Sequence, residues 1–137
     1  MAETLRKEDM PSCDLWDFER VVTEDGTPVD NLFSEKQRRL LSESLNSSWD
    51  PGGPFLSAAD IGLFYDPAGN PLVPDVLVSL GVEPADDMWE KRNCSYFVSE
   101  FGKPPDIAVE IVSNKKGGEG GRKVREYARA GVRYYTI

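Results

Sequence analysis

The stretch Asp106-Ile-Ala-Val-Glu-Ile-Val112 constrains this chain more than any other. Apart from its two acids it is apolar and rich in β-branched residues on both alternating faces. That is the pattern of a central strand buried on both sides, rather than one with a wet face. Glu110 is the anomaly within it, because burying an unpaired carboxylate costs several kcal/mol. Such a group is neutralised, paired or bound to a cation. The plainer reading is a core ion pair with an arginine; the sharper one is a metal site.

The rest of the chain supplies elements to surround that strand. Residues 1–30 read as an irregular arm with turns at Glu24-Asp25-Gly26 and Thr27-Pro28. From Asn31 to Asn46, Leu32, Phe33, Leu40, Leu41 and Leu45 recur at helical spacing; Asp30 or Ser34 can cap the helix, and Ser34-x-x-Gln37 fits a capping box. The loop Trp49-Asp50-Pro51-Gly52-Gly53-Pro54 ends this amphipathic helix. Phe55–Tyr65 and Leu72–Leu80 read as strands around the turn Asp66-Pro67-Ala68-Gly69-Asn70-Pro71. A polar loop over 81–92 leads to a short aromatic strand at Cys94–Val98. After the central strand come a Gly- and Lys-rich loop over 113–121, a helix at Arg122–Ala130, a left-handed cap at Gly131 and a last strand over Val132–Ile137. The order implies a mixed α/β single domain.

Composition removes many chemistries. The 137 residues contain no histidine, which excludes Ser-His-Asp and Cys-His nucleophile systems, histidine-ligated zinc and histidine as a near-neutral base. A general base must then be a carboxylate, a lysine, a tyrosine or a metal-activated water. Cys13 and Cys94 form neither a CxxC pair nor a zinc spacing; both read as structural, in a reducing compartment. The run Gly117-Gly118-Glu119-Gly120-Gly121 matches neither a P-loop nor GxGxxG, and reads as a mobile loop near the site. No stretch approaches the roughly 20 apolar residues of a membrane span, so a cytoplasmic protein is expected. The net charge of −8 divides into −13 over residues 1–112 and +5 over 113–137. An acidic body argues against indiscriminate DNA binding, while the basic end reads as a solvated helix face or a local phosphate contact.

Two acids compete to share a site with Glu110. Asp106 lies four residues away on the same strand, and so about 13 Å off, which is too far to hold one ion with it. It reads as a strand-start turn residue. Asp75 comes beside Glu110 if the two strands are neighbours. Asp60 and Asp66 read as strand-end and turn residues. On the wheel of the 122–130 helix, Val124, Tyr127, Ala128 and Gly131 form the expected buried face, with Lys123 at its edge, able to reach the sheet. Two carboxylates and an inward lysine suit a divalent-metal phosphodiesterase: the acids need a cation, and hard oxygen ligands select Mg²⁺ or Mn²⁺. The lysine would serve the attacking water.

Pro74-Asp75, Glu110-Ile111-Val112-Ser113 and Lys123 followed by Tyr127-Ala128-Arg129-Ala130-Gly131-Val132 resemble the Uma2 family of putative restriction endonucleases. That family belongs to the PD-(D/E)xK nuclease superfamily, and the wording is most similar to its cyanobacterial-type members. The resemblance covers about residues 14–137, which implies an N-terminal arm over 1–13 and the domain over 14–137. It implies a restriction-endonuclease-like mixed sheet flanked by helices, with Asp75 and Glu110 as metal ligands for Mg²⁺ or Mn²⁺ and as catalytic residues. DNA is the implied substrate, and a homodimer is implied because cutting two strands calls for two sites. Val112 departs from the superfamily pattern, since it occupies the slot two places after Glu110 where a lysine is usual. Lys123 would be that lysine moved to the next helix, with Lys115 or Lys116 as substitutes from the loop. Glu35 would add an acid from the first helix. The family continues past the Val132–Tyr135 strand, so the chain reads as lacking its C-terminal part. Two other functions stay open at this point: a catalytically inactive nucleic-acid-binding or interaction domain on the same fold, and a protein–protein module with Glu110 in a core ion pair.

Overall fold

The computed structural model describes residues 32–87, 89–112 and 121–137. The arm, Cys13, Lys115, Lys116 and most of the glycine-rich loop lie outside the described residues. In order the elements are α1 (Leu32–Ser48), β1 (Phe55–Ala59), β2 (Leu63–Phe64), β3 (Val76–Leu80), a 3-10 turn (Lys91–Asn93), β4 (Tyr96–Phe97), α2 (Val98–Phe101), β5 (Ile107–Val109), α3 (Arg122–Ala130) and β6 (Tyr134–Thr136). The strand expected over 55–65 is broken. Asp60 takes a left-handed backbone (φ 56°), and the chain leaves the sheet there to form β2 in a second, two-stranded sheet with β4. Leu72 joins β2 by an isolated bridge, so β3 is shorter than the stretch 72–80 suggested.

The main sheet runs β1-β3-β5-β6. β3 is antiparallel to both β1 and β5, while β5 and β6 are parallel, as a strand–helix–strand crossover through α3 requires. β3 and β5 are therefore the central pair, as the apolar pattern of 106–112 implies, but β5 stops at Val109: Ala108 and Glu110 are buried, Ile107, Val109 and Ile111 are half-buried, and Val112 is exposed rather than buried. Leu77 and Ala108 face each other across that pair and are fully buried. With Leu63, Tyr96, Tyr127, Ala130 and Val132 they make the core on one face of the sheet. Ser57 alternates with Ala58 and points to the other face, where its hydroxyl meets that of Ser42 on α1. Helices thus cover both sides, α1 on one and α3 on the other.

Two joints fix these layers. The Tyr96 hydroxyl lies 2.8 Å from that of Ser79 and donates to the Lys103 carbonyl at 2.9 Å, so a fully buried phenol is satisfied; burial pushes its pKa up to about 12. At the end of α3, Gly131 is left-handed (φ 92°), and a Cβ there would lie 2.9 Å from the Pro104 ring, which excludes other residues on two counts. Its N–H closes the helix onto the carbonyls of Ala128 and Tyr127, as the sequence predicts.

Both flanking helices depart from their expected faces. On α3 the inward residues are Tyr127 and Ala130, whereas Val124 and Ala128 are exposed. At 100° per residue the buried arc is centred close to Lys123, which places the lysine inside that arc rather than at its edge. On α1 the buried residues are Ser34, Arg38 and Ser42, while Leu32, Phe33 and Leu40 are 60–69% exposed. Ser34 lies within the helix and is buried, two residues beyond its first described residue, so it is not the cap of a capping box.

Candidate functional site

The acids gather at one end of the sheet. The β3–β5 register pairs Val76 with Val109, and one further rung sets Asp75 opposite Glu110. The β1–β3 register likewise sets Asp60 opposite Asp75, and the Asp60 N–H donates to the Asp75 carbonyl at 3.0 Å. Cross-strand neighbours of this kind lie about 5 Å apart at Cα. The Glu110 N–H extends the ladder to the Thr136 carbonyl at 2.9 Å. Asp75 and Glu110 are nearly buried, at 9% and 5% exposure.

Each carboxylate is held by its own set of donors. One oxygen of Glu110 accepts from the Tyr127 hydroxyl at 2.6 Å and the other from the Lys123 ammonium at 3.3 Å. Lys123 and Tyr127 are one turn apart on α3 and so reach the same carboxyl group. Burial raises the Glu110 pKa above its ordinary value; the Tyr127 bond and the Lys123 charge oppose that rise, and the Asp75 charge adds to it. The Tyr127 hydroxyl is itself pushed far up by burial and by the Glu110 carboxylate. Asp75 accepts the Arg38 Nε at 2.5 Å on Oδ1 and the Ile111 N–H at 2.7 Å on Oδ2. A second nitrogen of Arg38 lies 3.9 Å from Asp60.

The expected trio of Asp75, Glu110 and Lys123 is therefore brought together. Glu35 is not drawn in; it pairs with Arg39 at 2.6 Å, one turn along α1. Among the described residues no group of three or more acidic or cysteine side chains is placed to hold a metal. Asp106 serves the turn before β5, taking the Leu80 N–H and the Lys103 ammonium. Burial alone would raise its carboxyl, but those two partners outweigh that effect and hold it below the usual range. Asp66 caps its own turn through the Ala68 N–H, as expected. The core ion pair with an arginine exists, but on Asp75 rather than Glu110.

Arg38 and the Tyr127 hydroxyl were not legible as site groups. Arg38 stands in a helix whose leucines marked the other side as inward. Helical spacing puts Tyr127 on the buried face but says nothing of where its hydroxyl goes. Arg122, Arg125 and Arg129 are exposed on the far side of α3 from Lys123, which fits a solvated face. Cys94 is exposed. Among the described residues no helix is long and apolar enough to cross a membrane.

A family model for Uma2, described as a putative restriction endonuclease, matches residues 19–137. The mixed α/β architecture is consistent with a restriction-endonuclease-like fold. No curated protein and no solved structure matches the chain.

Proposed function

The chain belongs to the Uma2 family of putative restriction endonucleases, and from that premise we propose that it hydrolyses DNA phosphodiester bonds with a divalent cation at Asp75 and Glu110. One observation carries this reading. Lys123 meets Glu110 from α3 although Val112 fills the usual lysine slot. A lysine moved to a helix is useful only if its amine returns to the acids, and here it does.

Asp75 and Glu110 would hold Mg²⁺ or Mn²⁺. The donor set fits: two adjacent carboxylates offer hard oxygens, and Mg²⁺ is content with one or two of them because it keeps several waters. The pairing also meets the electrostatic demand of two nearly buried acids. When bound, the ion supplies Lewis acidity toward the scissile phosphate. Tyr127 fixes one oxygen of Glu110 and so sets the orientation of its carboxyl plane. Lys123 orients the attacking water and offers positive charge where the phosphorane becomes more anionic. A dimer working in the cytoplasm completes the proposal, one site for each DNA strand.

The test is plasmid cleavage with Mg²⁺ or Mn²⁺. Glu110→Ala and Lys123→Met should each lower the rate by roughly 10²-fold or more. Cleavage by Glu110→Ala at the wild-type rate would overturn the assignment.

A second reading is favoured by the pairs Arg38–Asp75 and Lys123–Glu110, which balance the site's charge with no added ion. The chain would then be a catalytically inactive nucleic-acid-binding or interaction domain on the same fold. Calorimetry with Mn²⁺ separates the two. Binding that is lost in Asp75→Asn supports the nuclease, and absence of binding supports the inactive domain.

A further inference from the structure

We propose that Arg38 is an internal cation that competes with a divalent ion for Asp75 and must transfer to Asp60 before that ion can load. The inference rests on reading Asp75 and Glu110 as a metal site, and it adds a latch that governs occupancy of that site. Two observations and one electrostatic argument lead to it.

Arg38 is where a competing cation would have to be. It is 8% exposed, comes from the helix layer opposite α3, and holds the Asp75 oxygen that the Ile111 N–H leaves open. Lys123 is paired with Glu110 in the same way from α3, and the guanidinium of Arg38 carries a permanent charge. Arg38 can leave Asp75 only by moving.

There is a place for it to go. A cleft of about 300 Å³ beside Arg38 is bounded by Glu35, Arg39, Ser42, Glu43, Ala59 and Asp60. Asp60 is the next acid in the cross-strand row, half-exposed, and already 3.9 Å from a second guanidinium nitrogen. A short swing therefore exchanges a contact on Asp75 for a closer one on Asp60.

The exchange also makes electrostatic sense. An ion on Asp75 places two positive charges beside the guanidinium, and like charges at ion-pair distance repel. Asp60 then receives the displaced charge without ligating the metal. Loading of the site thus depends on an acid outside it.

Calorimetric titration of Mn²⁺ into the whole chain, without DNA, tests this with R38Q, D60N, the double variant R38Q/D60N and D75N as reference. R38Q should bind Mn²⁺ roughly tenfold more tightly than wild type, because the competitor is gone. D60N should bind several-fold more weakly, and its effect should vanish in the R38Q background, the signature of two residues acting through one interaction. Asp75-dependent binding that is no tighter in R38Q overturns the latch and leaves the metal site standing. A D60N loss that persists in R38Q also overturns it, by making Asp60 a direct ligand. Absence of Mn²⁺ binding in every variant, or undiminished binding in D75N, overturns the metal reading itself. Should R38Q lose its helical circular dichroism, D60N decides alone: a folded D60N that binds as tightly as wild type overturns the proposal.

Discussion

Helix α3 turns Tyr127 and Ala130 toward the sheet and leaves Arg122, Arg125 and Arg129 in solvent. Helix α1 turns Ser34, Arg38 and Ser42 toward the sheet and leaves Leu32, Phe33 and Leu40 outside. Both are amphipathic and both bring a basic side chain to the same row of acids, yet they bury opposite kinds of surface. The difference lies in what each helix meets. α3 lies over Leu77 and Ala108, where apolar area is worth about 25 cal/mol per Å². α1 meets the Ser57 hydroxyl and the Asp75 carboxylate, and an apolar face there would strand a buried charge at a cost of several kcal/mol. Periodicity locates a helix; the partner surface decides which side goes in.

Substitutions should separate the two interfaces sharply, and the largest effect belongs to α3. Tyr127→Ala empties a fully buried ring position and should cost about 4 kcal/mol in urea unfolding, whereas Tyr127→Phe, which removes only the bond to Glu110, should cost about 2 kcal/mol. A Tyr127→Ala loss under about 1 kcal/mol would mean that α3 does not hold the core. Arg38→Met comes next. Measured in chelator, it should lose about 3 kcal/mol, because a nearly buried carboxyl group is left without its partner. If Arg38→Met were tolerated without loss, the polar account of the α1 interface would fail.

The Lys103–Asp106 pair at the opposite end of β5 is a milder control, because both side chains are partly exposed. Asp106 titrates below its ordinary 3.8 in the folded chain. Its contribution is therefore present above that value and disappears as pH falls through the lower, folded one. Asp106→Asn should remove about 1 kcal/mol at neutral pH, discounted for screening, and flatten the acid limb of the stability curve below pH about 4. An unchanged limb would show that the pair is inert. Smallest of all, Leu40→Ser on the outer side of α1 should change stability by no more than about 0.5 kcal/mol. A loss of about 2 kcal/mol would show that this stripe is covered.

The same contrast explains what could be read from the residues alone. Glu110 was legible because a charge inside a β-branched run violates a simple solvation rule, and Asp75 because it precedes a strand able to lie beside that run. The 122–130 helix and its Gly131 cap were legible for local reasons: helical spacing closed by a residue that tolerates positive φ. The wheel sets Lys123 at the edge of a face made by Val124, Tyr127, Ala128 and Gly131. The actual arc is turned toward Ala130, since the crossover from β5 to β6 fixes which side of α3 meets the sheet. Arg38 could not be found this way. Its role depends on the sheet surface beneath α1, and Leu32, Phe33 and Leu40 argued for the wrong side. The break at Asp60 was legible in part: the aspartate reads as a strand-end residue, but the apolar residues on both sides of it read as one strand from 55 to 65, and its left-handed backbone is not marked in the sequence.

The Ile111 N–H that donates to Asp75 at 2.7 Å gives the site a spectroscopic voice. An amide bonded this closely to a carboxylate shows a proton resonance displaced downfield. Whatever next arrives at Asp75, a diamagnetic ion such as Mg²⁺, a phosphate or a rearranged guanidinium, must redistribute charge on that carboxylate. The response would appear at a single backbone peak, belonging to a residue whose side chain has no part in the chemistry.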